Sequence, residues 1–410
     1  MNQFTLPNGL RVFLLPADTP FTAVVLAYTV GAAHEEAPAI GVAHLLEHLL
    51  FEDERIAYDR RLQEVGGSTN AYTGQDYTVY YARVPQEAAS LALELEAARL
   101  FDLEITEEKL AIQRQVVAEE FRQRYLNPPY ADRFFSVLRG IFPAHPYQHM
   151  VIGETPDQIL SLSLETVQNF YSAYYTPRNA ILCVSGGGIS SDLVQHIEKL
   201  YNREKGGVPL PVVPSAEDLP SPEPLLTREG AVPQVLVTWA FRLPPIDDPY
   251  MPAVDLLDDY LGDERSGYLV RHLVHEEGLA SRLSTYVWQF HFGGLWVIEA
   301  YLSEGISVNR YEDRLSAVLH TLPSERLMEA LDVYRPQRYL SLHRQREKAL
   351  GRALALVHSV LAGHLEWFTE PLHPYETLTE DSLRLAVEKY MVPGRRLKLH
   401  YIPRRAGAMG

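Results

Sequence analysis

Two histidines and a glutamate occur together with the spacing of a metal-dependent hydrolase site. His44 and His48 are four residues apart, and Glu47 immediately precedes His48. On a helix, residues at positions i and i+4 share one face, so both imidazoles can reach one ion. Glu47 is three residues after His44 and falls on nearly the same face, where its carboxylate could accept a proton from a metal-activated water. The segment therefore indicates a zinc site built for hydrolysis.

The residues around this motif predict that its helix is largely buried. The flanking positions are apolar: Val42, Leu45, Leu46, Leu49, Leu50 and Phe51. Buried imidazole and carboxylate groups need partners, and a metal ion supplies them. A helix face whose polar groups hydrogen-bond within the protein is the alternative, and the five-residue match alone does not exclude it.

Zinc needs a third protein ligand, and a second predicted helix offers two candidates. This helix is expected to start at Thr106 and to run to about Tyr125. Its predicted inward face consists of apolar residues: Ile112, Val116, Val117 and Phe121. Glu119 and Glu120 both fall near the edge of that face, so helical periodicity leaves both open as the third ligand.

The remaining histidines and the one cysteine are predicted to have structural roles. The pairs His145/His149 and His272/His275 lack a third ligand at helical spacing. Cys183 lies in an apolar run and is predicted to be a small buried residue of a strand. A single cysteine also excludes an internal disulfide.

The composition of the chain argues against some classes of binding partner. The chain has 410 residues with a net charge of −16, which argues against nucleic acid or an anionic membrane as the main partner. No apolar run approaches the roughly 20 residues that span a bilayer. The first residues lack the features of a secretion signal. We therefore expect a cytoplasmic protein that binds no nucleic acid and does not insert into a membrane.

The chain is predicted to consist of two similar halves. Residues 206–225 are rich in proline and are expected to link a domain of residues 1–205 to a domain of residues 226–410. Residues 28–51 match residues 239–262, and in that match Asp255, Asp258 and Asp259 replace the motif of the first half. Mixed strand-like and helical segments indicate an α+β fold in each half, related by duplication.

The chain resembles the pitrilysin/insulinase (M16) family of zinc peptidases, which includes the mitochondrial processing peptidase. The resemblance rests on six segments spread over the first half and on the repeat: residues 6–12, 44–51, 66–73, 76–81, 116–120 and 174–179. It implies the M16/LuxS-like metallohydrolase fold, with two duplicated domains that each contain an antiparallel-rich sheet covered by helices.

The resemblance also implies residue roles. His44, His48 and Glu120 correspond to the ligands of one zinc ion per chain, and Glu120 is preferred over Glu119 because the family uses the second glutamate of such a pair. Glu47 corresponds to the general base. The resemblance further implies that Asn70 and Ala71 lie on a strand that pairs with the peptide substrate. Gln113 stands where the family often has a glutamate near the metal histidines.

One departure from the family bears on partners. Many members carry an arginine and a tyrosine that bind substrate, but Val274 and Ser281 occupy those positions here. The expected function is a zinc-dependent endopeptidase that cuts peptides or unfolded segments inside a dimeric chamber. The second chain would be either an identical copy or an M16 subunit that carries the arginine–tyrosine pair. The alternative function is a non-catalytic scaffold or partner subunit of a heterodimer.

Overall fold

A computed structural model describes residues 1–53, 56–222, 224–322 and 324–404. The strands in these ranges are β1 (Asn2–Thr5), β2 (Arg11–Pro16), β3 (Phe21–Tyr28), β4 (Ser68–Thr73), β5 (Thr78–Pro85), β6 (Ala180–Gly186), β7 (Leu225–Gly230), β8 (Leu236–Leu243), β9 (Ala280–Phe290), β10 (Gly293–Leu302) and β11 (Arg396–Pro403). The helices of the first half are α1 (Val42–Leu49), α2 (Tyr58–Glu64), α3 (Ala89–Phe101), α4 (Glu107–Phe121), α5 (Arg133–Ile141), α6 (Pro156–Leu160), α7 (Leu164–Tyr174) and α8 (Ser191–Tyr201). Those of the second half are α9 (Met251–Gly262), α10 (Tyr268–Val270), α11 (Val308–His320), α12 (Ser324–Glu329), α13 (Arg335–Arg346), α14 (Ala349–Leu361), α15 (Glu366–Thr369), α16 (His373–Glu376) and α17 (Glu380–Tyr390).

The first sheet has six strands in the order β1-β2-β6-β3-β5-β4. Its central strands β3 and β6 are buried on both faces, which explains their continuous apolar sequences. Alternate residues of β3, namely Ala23, Val25 and Ala27, pack in one core with α14. Cys183 lies fully buried in the same core, as predicted, and burial raises the pKa of its thiol.

The second sheet repeats this topology with five strands in the order β7-β11-β8-β10-β9. In each sheet a parallel pair, β2 with β6 or β7 with β11, is followed by strands that all pair antiparallel. The matching order confirms the predicted α+β fold of two similar sheets covered by helices. The strand β1 is an addition at the edge of the first sheet.

Two compact units are formed by the chain, and each combines segments from both halves of the sequence. The first unit comprises residues 1–123, 149–213 and 343–370, and the second comprises residues 124–148, 214–342 and 371–410. Helix α14 from the second half thus covers the first sheet, and α5 from the first half packs against β8 and β11 of the second sheet. Sequence periodicity cannot reveal this exchange, because either helix would present the same apolar face to either sheet.

The predicted domain boundaries stay a prediction. Residues 206–222 of the expected linker contain no strand or α-helix, only a short 3₁₀ turn. The linker prediction also includes residue 223, and the predicted second domain ends with residues 405–410. These positions lie outside the described residues.

None of the helices in the described ranges combines the length and the apolar character that crossing a bilayer requires.

Candidate metal centre

Helix α1 presents the three motif residues on its one partly exposed face. The apolar residues Val42, Ala43, Leu45, Leu46 and Leu49 are buried, as their spacing predicts. His44, Glu47 and His48 keep intermediate exposure on the remaining face. Burial of the apolar face therefore fixes the rotation of the helix about its axis, and this rotation aims the three polar side chains in one direction.

The start of α1 is held by a buried carboxyl group that the sequence analysis missed. Glu35 is 7% exposed, and its two oxygens accept hydrogen bonds from the backbone N–H groups of Gly41 at 2.6 Å and Ala43 at 2.7 Å. Gly41 has a φ of +90°, a conformation that favours glycine. Burial raises the pKa of Glu35 to about 8, although the two N–H groups lower it in part. Glu35 thus replaces the usual Ser, Thr or Asp cap from outside the helix.

Helix α4 begins where the sequence predicts, but its buried face differs from the prediction. The Thr106 hydroxyl accepts a hydrogen bond from the Lys109 N–H at 3.3 Å and caps the helix. Ile112 and Val116 were expected to point inward, but they are 56% and 44% exposed. The predicted inward face was therefore wrong at these two positions.

The physical reason is a polar residue on the inward side. The buried positions of α4 are Leu110, Gln113, Val117, Ala118 and Phe121. Gln113 is 5% exposed and hydrogen-bonds to the imidazole of His48, so it takes the place that an apolar residue would otherwise fill. With the helix rotated in this way, residue 120 shares the face of Gln113.

This rotation separates the two candidate glutamates. Glu119 is exposed and hydrogen-bonds to Arg122 and Gln123. Glu120 instead faces α1, and its Oε2 lies 3.8 Å from Nε2 of His44 and 3.3 Å from Nε2 of His48. The ligand-type atoms of His44, His48 and Glu120 all lie within 4.8 Å of one another. They are the one such group of three or more in the described part of the chain.

This donor set fits zinc. Zinc forms bonds of about 2.0–2.2 Å to imidazole nitrogen and carboxylate oxygen, so two tetrahedral ligand atoms lie about 3.3–3.5 Å apart. The distances from Glu120 to the two imidazoles bracket that value. The charges around His48 also suit a cation. Burial lowers the pKa of His48, but its bond to Glu120 and the negative charges of Glu120 and Glu47 outweigh this effect and raise the pKa overall.

Glu47 is held by a second residue that the sequence analysis did not identify. The Thr73 hydroxyl donates a hydrogen bond of 2.5 Å to Oε2 of Glu47. Thr73 is the last residue of β4, far from Glu47 in sequence, so no local pattern could have revealed this pair. A threonine at a strand end carries no signal by itself.

Strand β4 also contains the two residues expected to contact substrate. It lies at the edge of the first sheet and pairs with β5, with Asn70 opposite Tyr81 and Ala71 opposite Tyr80. Asn70 is exposed, whereas Ala71 is 9% exposed. An edge strand of this kind can accept a further extended chain through its main-chain groups.

The corresponding positions of the second half hold protein partners instead. Asp258 accepts from Trp296 at 2.8 Å, Asp255 accepts from the Tyr375 hydroxyl at 2.9 Å, and Asp259 lies 2.8 Å from Arg338. Burial raises the pKa of Asp258 to about 6. These aspartates therefore serve packing and hydrogen bonding within the second unit.

The other residues considered in the sequence analysis form ordinary hydrogen bonds, ion pairs and packing contacts within the protein. His145 bonds to the carbonyl oxygen of Pro214 and to the N–H of Tyr147, while His149 and His272 each face a glutamate: Glu154 at 2.9 Å and Glu276 at 2.7 Å. Val274 packs against the apolar core of the second unit. Ser281 bonds to the carbonyl oxygen of Tyr301 and accepts from Gln234.

Comparison with known proteins places this geometry in a family. The family model described as Insulinase (Peptidase family M16) matches residues 12–134, which contain all of the cluster. The model described as Peptidase M16 inactive domain matches residues 161–327.

Individual relatives agree with the family models. The zinc protease PqqE of Helicobacter pylori is 29% identical over 336 residues, which are 80% of this chain and 75% of the relative. The uncharacterized zinc protease YmxG of Bacillus subtilis is 25% identical over 332 residues, or 78% of each chain. The crystal structure of a protease from Helicobacter pylori matches with a TM-score of 0.89 and 26% identity over 98% of this chain and 99% of that one. The chain belongs to peptidase family M16, the insulinase family.

Proposed function

We propose that this chain is a zinc-dependent endopeptidase that hydrolyses peptides or unfolded segments. The observation that carries the proposal is the convergence of His44, His48 and Glu120 beside Glu47 on a rigid, buried helix. The relatives that are named zinc proteases support the choice of zinc and of the peptide bond as substrate. We expect one zinc ion per chain, because the corresponding aspartates of the second half are bonded to protein groups.

The roles of the residues follow from their chemistry. Nε2 of His44, Nε2 of His48 and Oε2 of Glu120 would hold the ion. When bound, zinc supplies a Lewis acid that polarises the substrate carbonyl and lowers the pKa of water. Glu47 would accept the proton of the attacking water on its carboxylate and then deliver it to the nitrogen of the leaving amine as the C–N bond breaks. Gln113 would orient the His48 imidazole through their hydrogen bond.

Substrate would bind as an additional strand along β4. Asn70 and Ala71 would contact it mainly through main-chain groups, which recognise an extended chain with little demand on sequence. Such binding requires the peptide to be unfolded locally, so folded proteins are poor substrates. The net charge of −16 gives a modest preference for cationic peptides.

We also propose that the active unit contains a second chain. Val274 and Ser281 occupy the positions at which many family members carry a substrate-binding arginine and tyrosine, and neither side chain can donate a charged hydrogen bond to a peptide. A partner chain of the same family, or a second copy, would complete the binding surface. Light scattering of the active preparation tests this, since full activity in a preparation that contains only monomer would contradict it.

The test of the peptidase combines metal analysis with one substitution. Carefully prepared wild-type protein should contain zinc and cleave an unstructured peptide. Glu47→Gln should retain the zinc and lose about 10²- to 10⁴-fold in cleavage rate, as expected when a general base is removed. Glu52→Gln is the matched control, because Glu52 is exposed just beyond α1. Absence of zinc from carefully prepared wild-type protein would favour the alternative, a non-catalytic scaffold or partner subunit.

A further inference from the structure

The last two residues of β4 are tethered on opposite faces of the first sheet. Thr73 donates its 2.5 Å hydrogen bond to Glu47 on α1, and the hydroxyl of the preceding residue, Tyr72, lies 2.5 Å from Nε2 of His358 on α14. Side chains of consecutive strand residues point to opposite faces, so the two bonds hold the strand from both sides. The end of β4 is therefore fixed relative to both helices.

We propose that Thr73 is the positioning residue of Glu47, and that it sets the orientation of this carboxylate from the strand that receives substrate. The inference rests on the proposed function, in which Glu47 moves a proton and β4 pairs with the peptide. Thr73 is neither one of the proposed metal ligands nor one of the two residues expected to contact substrate. Its effect on the reaction would act through Glu47 alone.

A glutamate needs such a partner because its side chain is flexible. Three side-chain torsions separate the Glu47 carboxylate from the backbone of α1, so the helix alone does not determine where its oxygens lie. A threonine in a strand has a restricted first torsion, so the hydroxyl position follows closely from the backbone of β4. A hydrogen bond between the Thr73 hydroxyl and the Glu47 carboxylate therefore holds the carboxylate at a position that the strand determines.

The strand itself is well supported. Tyr72 packs against Tyr77, Tyr81 and His358, with ring centroids between 6.1 and 6.5 Å apart. Ala71 is buried, and β4 pairs with β5 along its whole length from Ser68 to Thr73. A peptide that pairs with the open edge of β4 would therefore be positioned by the same backbone that holds Glu47. The general base and the scissile bond would both be placed relative to this one strand.

The consequence for catalysis is specific to the chemical step. Loss of the Thr73 hydroxyl would leave peptide pairing with β4 and metal binding intact, while Glu47 would spend less time in the productive orientation. Hydrogen bonds to charged groups contribute about 1.5–3 kcal/mol, and this converts to a roughly 10- to 150-fold fall in kcat. KM should stay within about twofold, because a group that acts only on the chemical step leaves substrate binding unchanged.

The experiment compares three variants of the zinc-loaded full-length protein. Thr73→Val keeps the size and branching of the side chain and removes the hydroxyl, so kcat should fall with KM and zinc content unchanged. Thr73→Ser restores the hydroxyl and should recover kcat to within about threefold of wild type. Thr22→Val is the matched control: the Thr22 hydroxyl on β3 donates at 2.8 Å to the carbonyl oxygen of Gly187, which directly follows β6 of the same sheet. It should lower the melting temperature and leave kcat unchanged.

A second readout does not depend on activity. Crystal structures of the zinc-loaded wild type and Thr73→Val should show the Thr73–Glu47 bond in the first and a changed Glu47 rotamer in the second. Wild-type kcat in Thr73→Val, failure of serine to restore activity, or an unchanged Glu47 rotamer would each overturn the inference. If zinc-loaded wild type cleaved no peptide while the rotamer changed as expected, the peptidase assignment would fail and the positioning of Glu47 by Thr73 would stand.

Discussion

Nε2 of His48 lies 3.3 Å from Oε2 of Glu120, although the two residues come from different helices of the first unit. Helix α1 supplies the imidazole and α4 supplies the carboxylate, and both helices are oriented by buried apolar residues. The contact brings a negative charge to within reach of two imidazoles, which is the arrangement that a zinc ion requires.

Substitution of Glu120 should abolish tight zinc binding, whereas substitution of its neighbour should not. Glu120→Gln removes the anionic ligand, so zinc affinity should fall by more than the roughly 10- to 100-fold typical of residues that only support a ligand. Glu119→Gln is a control of the same chemistry on an exposed residue. Competition with a chromophoric chelator measures both affinities. Equal losses in the two variants would show that Glu120 is not a ligand.

Gln113 should support zinc binding without being a ligand. It is buried and hydrogen-bonds to His48, so Gln113→Ala should free the imidazole to rotate and weaken zinc binding by about 10- to 100-fold. Gln115→Ala removes an exposed glutamine from the same helix and should have no effect. The same chelator competition applies. An unaltered affinity in Gln113→Ala would mean that packing alone orients His48.

The buried carboxyl group at the start of α1 should make stability depend on pH. The pKa of Glu35 is raised from 4.5 to about 8, so the folded protein holds this proton more tightly than the unfolded chain. Stabilisation from the protonated group is complete below about pH 4.5 and is lost as the pH rises towards 8.

The melting temperature of metal-free wild type, relative to Glu35→Gln, should therefore decline between pH 5 and pH 8. Glu36→Gln, which alters an exposed neighbour, is the control variant. A flat difference for Glu35→Gln would show that this carboxyl group is ionised throughout.

A carboxylate in the second unit should show the opposite dependence. Glu312 accepts from Lys398 at 2.7 Å, Trp239 at 2.8 Å and His400 at 3.0 Å. Burial raises the pKa of Glu312, but these hydrogen bonds outweigh it and lower the pKa from 4.5 to about 2. The folded protein thus binds this proton less readily than the unfolded chain, and the stabilisation is present above about pH 4.5 and lost towards pH 2.

Glu312→Gln should accordingly destabilise the protein at neutral pH by about 1.5–3 kcal/mol, the usual contribution of hydrogen bonds to a charged group. Thermal unfolding followed at pH 7 and pH 4 should show a smaller loss at the lower pH. Asp313→Asn, on the exposed neighbouring position, is the control. A loss that does not change with pH would indicate a packing defect instead of lost ion pairing.

The sequence predicted those parts of the site that share one helix. His44, Glu47 and His48 follow from a spacing of three and four residues, and the buried face of α1 agrees with it. Glu120 needed the family resemblance, because periodicity placed Glu119 and Glu120 equally. The predicted inward face of α4 was wrong at Ile112 and Val116. A pattern based on apolar residues assigns a glutamine to the exposed face, so it could not indicate that Gln113 is buried.

Contacts between distant segments could not be predicted from spacing. Glu35 caps α1 across a loop, and Thr73 reaches Glu47 from a strand. The same limit applies to the fold. The two similar sheets were expected, but the exchange of residues 124–148 and 343–370 between the units was not, because amphipathic helices do not encode which sheet they cover.

A zinc titration of metal-depleted protein, with peptide cleavage followed at each step, tests the assignment as a zinc peptidase. Without metal we expect no cleavage, and the rate should rise with added zinc and reach a plateau at one equivalent per chain. In Glu47→Gln the same titration should bind one equivalent and remain inactive. Cleavage that persists in fully metal-depleted protein would show that the chain is not a zinc-dependent peptidase. One bound zinc per chain without any cleavage of unstructured peptides by the assembled protein would show the same.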